Sequence, residues 1–273
     1  MKDTTSYTAR APDSNGYIHY EPSEHQVWET LYHRQFALIQ DKACEAYLIG
    51  LDRIGLSPHH IPQCKEISEA LKAYTGWTVA PVAALISFKA FFDLLAHQIF
   101  PAASFIRRPE ELDYLKEPDI FHEIFGHCPL LTDPAFAAFT QEVGRFGQGI
   151  SPEDRKMLAR LYWFTVEFGL IQTPNQPLKI YGAGIVSSKT ESIYALQSPI
   201  PERKPFDLLT VLRMPYRYDA LQKTYFVIDS IERLYNMVNG QLLEAFREAN
   251  ALGILSNPHE IHDAAMAQDY RSC

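Results

Sequence analysis

The run Leu161-Tyr162-Trp163-Phe164-Thr165-Val166-Glu167-Phe168-Gly169-Leu170 sets the hardest condition on how this chain can fold. It continues a helical pattern that opens at Ser151-Pro152-Glu153-Asp154, with Ser as N-cap and Pro at the first helical position. The run is almost wholly apolar, so it belongs in a core, yet it carries one carboxylate. A lone buried carboxylate is costly unless it is paired or coordinates a metal. The fold must therefore bring a cation to Glu167.

The segment equipped to hold one is Asp119-Ile120-Phe121-His122-Glu123-Ile124-Phe125-Gly126-His127-Cys128-Pro129. The zinc-hydrolase signature H-E-x-x-H puts its histidines four apart on one helix face. Here the spacing is five, and at about 100° per residue the two positions lie roughly 140° apart on an α-helix, too far to share a small cation. Gly126 offers a resolution. A glycine just past the last helical residue can turn left-handed, and Pro129 blocks the helix from continuing. His122 then sits on the last turn and His127 just beyond it, and both imidazoles can converge on one metal. The bland reading is a helix end with two incidental histidines. With Glu167 as third ligand, two imidazoles and a carboxylate on one face of an octahedral ion leave three positions open, the arrangement of non-haem Fe(II) oxygenases. Zinc would more often be held tetrahedrally with one open site.

The rest of the chain reads as mostly α, a single catalytic domain over residues 25–273 with a few short strands. Residues 1–24 are polar and read as an extended or partly ordered arm. Val27, Leu31, Phe36, Ile39, Ala43, Tyr47 and Leu48 fit one long amphipathic helix, with a turn at Gly55-Leu56-Ser57-Pro58. Further helices are expected over 67–74, 87–99, 225–235 and 241–250, and a strand over 206–211. Four scattered cysteines with no C-x-x-C pair point to a reducing, cytoplasmic setting. The amino terminus lacks the apolar stretch of a signal peptide. The longest apolar run, Val79 to Phe88, stops at about half the ~20 residues of a bilayer span, so no membrane is crossed. Net charge is −8, with the bases scattered, which excludes nucleic acid as a partner. Gly182-Ala183-Gly184 lacks the third glycine of a dinucleotide fingerprint. His259-Glu260-Ile261-His262 and His59-His60 read as solvated.

These residues together resemble the tetrahydrobiopterin-dependent aromatic amino acid hydroxylases, most closely the short bacterial phenylalanine 4-hydroxylases. The resemblance rests on Glu117 to His127, on Tyr162 to Leu170, and on Tyr181-Gly182-Ala183-Gly184-Ile185-Val186-Ser187-Ser188 with Glu191. It covers about His25 to Gly240, the family's catalytic domain. The resemblance implies that His122, His127 and Glu167 hold Fe(II). Glu123 would face the pterin, and Phe91 would offer the π face on which it stacks, with Leu85, Ile86 and Ser87 along the same edge and Tyr162 nearby. Arg107 would grip the substrate carboxylate, Asp119 would orient it, Trp163 would wall the aromatic pocket, and Ser187 would hydrogen-bond near His122. Tyr114, Phe168 and Glu191 would support the site from behind. The chain departs from animal members at Leu115, where they have Thr, and at Phe88, where they have a small polar residue. Tyr218 falls in the loop associated with substrate choice.

The activity that the resemblance implies is that of a monooxygenase converting L-phenylalanine to L-tyrosine with O2 and a reduced pterin. Trp163 favours phenylalanine or tyrosine over tryptophan, since tryptophan hydroxylases resemble this motif with Phe there. No heptad tail for tetramerisation is seen, which leaves a monomer or homodimer. Two other classes stay open: a zinc hydrolase with Glu123 as base, and a non-catalytic pterin or amino-acid sensor on the same scaffold.

Overall fold

The computed structural model describes residues 7–82, 86–113 and 117–257. Leu85, Tyr114, Leu115 and the His259-Glu260-Ile261-His262 segment lie outside the described residues.

The long amino-terminal helix expected from the periodicity is two helices. α1 (Pro22–Ile39) opens with Pro22 at its first position and the Glu21 amide donating to Glu24 Oε2 at 2.8 Å. It stops because the next residues pair with another part of the chain: the Ile180 amide donates to the Lys42 carbonyl and the Cys44 amide to the Ile180 carbonyl. α2 (Glu45–Ile54) then begins and ends at Gly55, whose φ of 60° is the left-handed conformation glycine adopts at little cost. α3 (Cys64–Tyr74) comes after it.

Next comes a parallel pair of strands joined by a helix: β1 (Thr78–Val82), α4 (Phe88–Ala96) and β2 (Ile99–Ala103), with Thr78 opposite Ile99 and Val82 opposite Ala103. The helix expected over 87–99 is shorter because Gln98 turns left-handed and releases Ile99 to the strand. α5 (Pro134–Gln148) and α6 (Pro152–Tyr162) succeed it, the latter capped by Ser151 Oγ as its sequence predicts. β3 (Leu170–Ile171), β4 (Lys179–Ile180), α7 (Ala183–Val186), α8 (Lys189–Gln197), β5 (Glu202–Pro205), α9 (Leu208–Arg213), β6 (Thr224–Ile228) and α10 (Ile231–Leu252) complete the described chain.

The second sheet has the order β4-β3-β6-β5, parallel except for the β3–β4 pair. Two expectations change here. Residues 208–213 are helical, with Asp207 capping through the Thr210 amide, where the sequence pattern predicts a strand. Residues 224–228 are a strand where the pattern predicts a helix. A short apolar run fits either period, and the β-branched and aromatic Thr-Tyr-Phe-Val-Ile settles between two partner strands. Among the described residues no helix is long and apolar enough to cross a membrane.

Two features of the core position the site. Phe121 and Phe125 stack at 4.8 Å, Trp28 meets Phe121 edge-on, and the Tyr47 hydroxyl donates to the Phe125 carbonyl. The histidine segment is thereby anchored from beneath by α1 and α2. The amino-terminal arm packs on the chain after β2: Tyr7 stacks on Phe105, the Arg10 amide donates to Ser104 Oγ, and Arg10 forks onto Glu24.

Candidate active site

Both segments that carry the expected ligands are π-helical. His122–His127 forms one such turn and Trp163–Glu167 another, closed by the Phe168 amide donating to the Trp163 carbonyl at 2.9 Å. A π-turn pairs residue i with i+5, so the five-residue spacing that separates two side chains on an α-helix brings His122 and His127 together. The expected left-handed break at Gly126 does not occur. Gly126 stays inside the turn with right-handed backbone. Its role is close packing, since a Cβ there would lie 3.1 Å from the Ala183 carbonyl oxygen.

α7 is the wedge between the two turns. A Cβ on Gly182 would come within 2.4 Å of the Glu167 carbonyl oxygen, so only glycine lets the start of α7 rest on the Glu167 backbone. Ser187, at the other end of α7, then reaches His122. Its hydroxyl donates to the Ala183 carbonyl at 2.7 Å, which leaves its oxygen to accept from His122 Nδ1 at 2.9 Å. The proton of neutral His122 is thus on Nδ1, and Nε2 presents a lone pair.

That lone pair faces His127 Nε2 at 3.1 Å and Glu167 Oε2 at 3.5 Å, while Glu167 Oε1 lies 3.2 Å from His127 Nε2. Burial pushes His122 down to about 4, which keeps it neutral. Burial pushes the Glu167 carboxyl up, but positive charge on the histidine side of the site, His127 before His122, outweighs it and holds it below the usual carboxylate range; with neutral imidazoles that charge must come from a bound cation. An ionised carboxylate facing an imidazole lone pair is repulsive unless a cation lies between them. Two imidazole nitrogens and one carboxylate, all converging, are a donor set that fits Fe(II).

Glu123 also lies within ligating distance of the two histidines, but its carboxylate is 4.0 Å from His127 Nε2. Burial, with Glu167 and Asp119 adding repulsion, raises it well above the usual carboxylate range. Glu167 reaches both imidazoles, with oxygens 3.5 Å from His122 Nε2 and 3.2 Å from His127 Nε2, so it is the better-placed third donor.

Two cavities meet at this cluster, sharing Pro118, His122, Trp163 and Glu167. The larger, about 740 Å³, is walled by Arg107, Trp163, Phe168, Ser187, Glu191 and the loop from Tyr218 to Leu221. Behind its wall the fully buried Asp119 accepts from Arg107 Nε and Nη2, both at 2.8 Å, and from the amides of Arg107 and His122. Burial pushes the Asp119 carboxyl up, but Arg107 outweighs it and holds it low. One carboxylate therefore ties the guanidinium to the backbone of the histidine turn.

The smaller cavity, about 330 Å³, is lined by Ile86, Phe88, Phe91, Glu123, His127 and Tyr162. Phe91 meets Tyr162 edge-on at 5.1 Å, and Phe100 packs against His127 at 4.8 Å. Ser87 is not on this wall; its hydroxyl caps α4 by accepting from the Ala90 amide. Sequence reasoning missed Phe100, Tyr216 and Gln222. Tyr216 stacks on the Trp163 indole at 4.3 Å, and Gln222 Oε1 accepts from its N–H. Only the fold brings these distant positions to the site, and no local pattern signals them.

A model of the biopterin-dependent aromatic amino acid hydroxylase family matches residues 3–247. The chain belongs to this family. Among biopterin-dependent hydroxylases it is 53% identical to the phenylalanine-4-hydroxylase of Pseudomonas aeruginosa, over 92% of this chain and 95% of that one. It superposes on the apo phenylalanine hydroxylase of Colwellia psychrerythraea with a TM-score of 0.89 at 47% identity, covering 92% of this chain and 97% of that one. The Chromobacterium violaceum phenylalanine hydroxylase, solved with bound oxidised Fe(III), gives 0.84 at 41% identity over 90% and 91%.

Proposed function

We propose that this chain is a phenylalanine 4-monooxygenase, converting L-phenylalanine to L-tyrosine with O2 and tetrahydrobiopterin at a non-haem Fe(II) held by His122, His127 and Glu167. The observation that carries this reading is the convergence of those three side chains at the junction of two cavities. Bound iron and reduced pterin would supply oxygen activation and the two electrons the reaction needs. The protein's own residues position the reactants and exclude water.

In the larger cavity the Arg107 guanidinium is held by Asp119 through Nε and Nη2, which leaves its outer edge to grip an amino acid's carboxylate. The ring then lies along Trp163, beside the metal. In the smaller cavity Phe91 offers a flat face to the pterin ring, and Glu123 on the same wall is placed to hydrogen-bond to it. Ser187 holds the His122 tautomer that keeps Nε2 free for a metal. The described cysteines Cys44, Cys64 and Cys128 are buried free thiols, which supports a cytoplasmic setting.

The test is turnover by the Fe(II)-loaded protein with reduced pterin and O2, offered phenylalanine, tyrosine and tryptophan separately. Tyrosine formed from phenylalanine, and lost on omitting iron or pterin, is the expected result. Binding without turnover would make the chain a sensor, and zinc-dependent amide hydrolysis would make it a hydrolase.

A further inference from the structure

Gln222 is 2% exposed and sits on the loop that leads into β6. Its side-chain nitrogen donates to the carbonyls of Arg217 at 2.9 Å and Ala220 at 3.1 Å, closing that loop on itself. With both N–H groups committed, the amide has one orientation, and Oε1 must face the Trp163 indole N–H, 3.1 Å away. The backbone amide of Gln222 in turn donates to Glu191 Oε1, which also accepts from the Tyr225 hydroxyl. The Trp163 ring stacks on Tyr216, at 4.3 Å and 16°, and packs against Phe168, tilted by 34° at 4.6 Å. Ring packing of this kind restrains the plane of an indole but leaves it free to slide and rotate within that plane. The hydrogen bond to Gln222 removes that freedom.

The loop that Gln222 closes carries Tyr218, Asp219, Ala220 and Leu221, all on the wall of the larger cavity. One amide therefore holds both the indole and the 218–221 loop on the wall of the cavity proposed to take the aromatic ring. We propose that Gln222 is a specificity-determining positioning residue, setting the width of this cavity so that it fits a single six-membered ring and rejects an indole. This rests on the phenylalanine hydroxylase reading above, and its test has a limb that does not need turnover.

Gln222→Leu deletes the acceptor and both donors at similar volume. It is expected to raise KM for phenylalanine about tenfold with kcat within about twofold, and to cut the preference for phenylalanine over tryptophan about tenfold. In a Trp163→Phe background, which has no indole N–H to orient, the same change removes only the loop contacts and is expected to cost about threefold. Acrylamide quenching of the Trp163 emission, taken as the difference between chains with and without Trp163→Phe, is expected to rise at least about twofold in Gln222→Leu. Gln222→Met, unbranched and of similar length, makes the same deletion if the leucine variant does not fold. Equal losses in both backgrounds, or unchanged quenching and selectivity, would overturn the proposal. A wild-type protein that does not hydroxylate phenylalanine would overturn the functional reading instead, with the quenching limb still deciding whether Gln222 holds the indole.

Discussion

Replacing Glu191 by glutamine should change the stability of the protein in a pH-dependent way whose size can be worked from the structure. Glu191 is 5% exposed, and burial raises its carboxyl to about 7, although the Tyr225 hydroxyl and the Gln222 amide both hydrogen-bond to its charged form and pull the other way. In the unfolded chain the group titrates near 4.5. Between those two values the unfolded chain releases a proton that the native protein keeps, so stability falls as pH rises through the interval and is level above it. The interval from 4.5 to about 7, at about 1.4 kcal/mol per pH unit, amounts to about 3 kcal/mol. Glutamine does not ionise and can still accept from Tyr225. The stability of Glu191→Gln relative to the parent should therefore rise by about 3 kcal/mol from pH 4.5 to pH 8. Urea unfolding of both proteins at a series of pH values measures this, and the difference cancels every other titrating group. A difference that does not vary with pH would refute the raised titration of the buried Glu191 carboxyl.

Three other outcomes are set by the geometry. Asp119→Asn leaves Arg107 buried beside a neutral partner; unfolding measurements should show a loss of about 3–5 kcal/mol, and KM for phenylalanine should rise while KM for the pterin holds. Gly182→Ala drives a methyl against the Glu167 backbone, so it should cost about 2 kcal/mol or more in a thermal or urea melt and weaken iron binding, whereas Gly240→Ala, which meets nothing, should do neither. Phe91→Ala removes the aromatic face of the smaller cavity; KM for the pterin should rise about tenfold in steady-state kinetics, with KM for phenylalanine within about twofold.

Much of the site's chemistry is legible in residue types, and little of its geometry is. Glu167 stands out because a carboxylate in an apolar run has few uses, and the histidines stand out because they are close and bounded by Gly126 and Pro129. How they converge is not legible. Hydrophobic periodicity reports 3.6-residue turns, and nothing in the pattern marks the π-turns that bring a five-residue spacing into line. The break between α1 and α2 escapes for a related reason: residues 42–44 pair with Ile180, a contact 138 positions away from Lys42 that no local window contains. β6 reads as a helix because a short, mostly buried run has no period of its own until its neighbours are known. The Gly182-Ala183-Gly184 motif is visible in the sequence but its purpose is not; its glycines serve the close approach of α7 to the Glu167 backbone.

The central claim is that His122, His127 and Glu167 together hold one Fe(II). Anaerobic titration of the metal-free protein with Fe(II), for the parent and for Glu167→Ala, tests it most directly. One ion bound per chain by the parent, with affinity at least about a hundredfold weaker in the variant, is the predicted result. Equal affinity in the two proteins would contradict the claim and leave the Glu167 carboxylate without its cation.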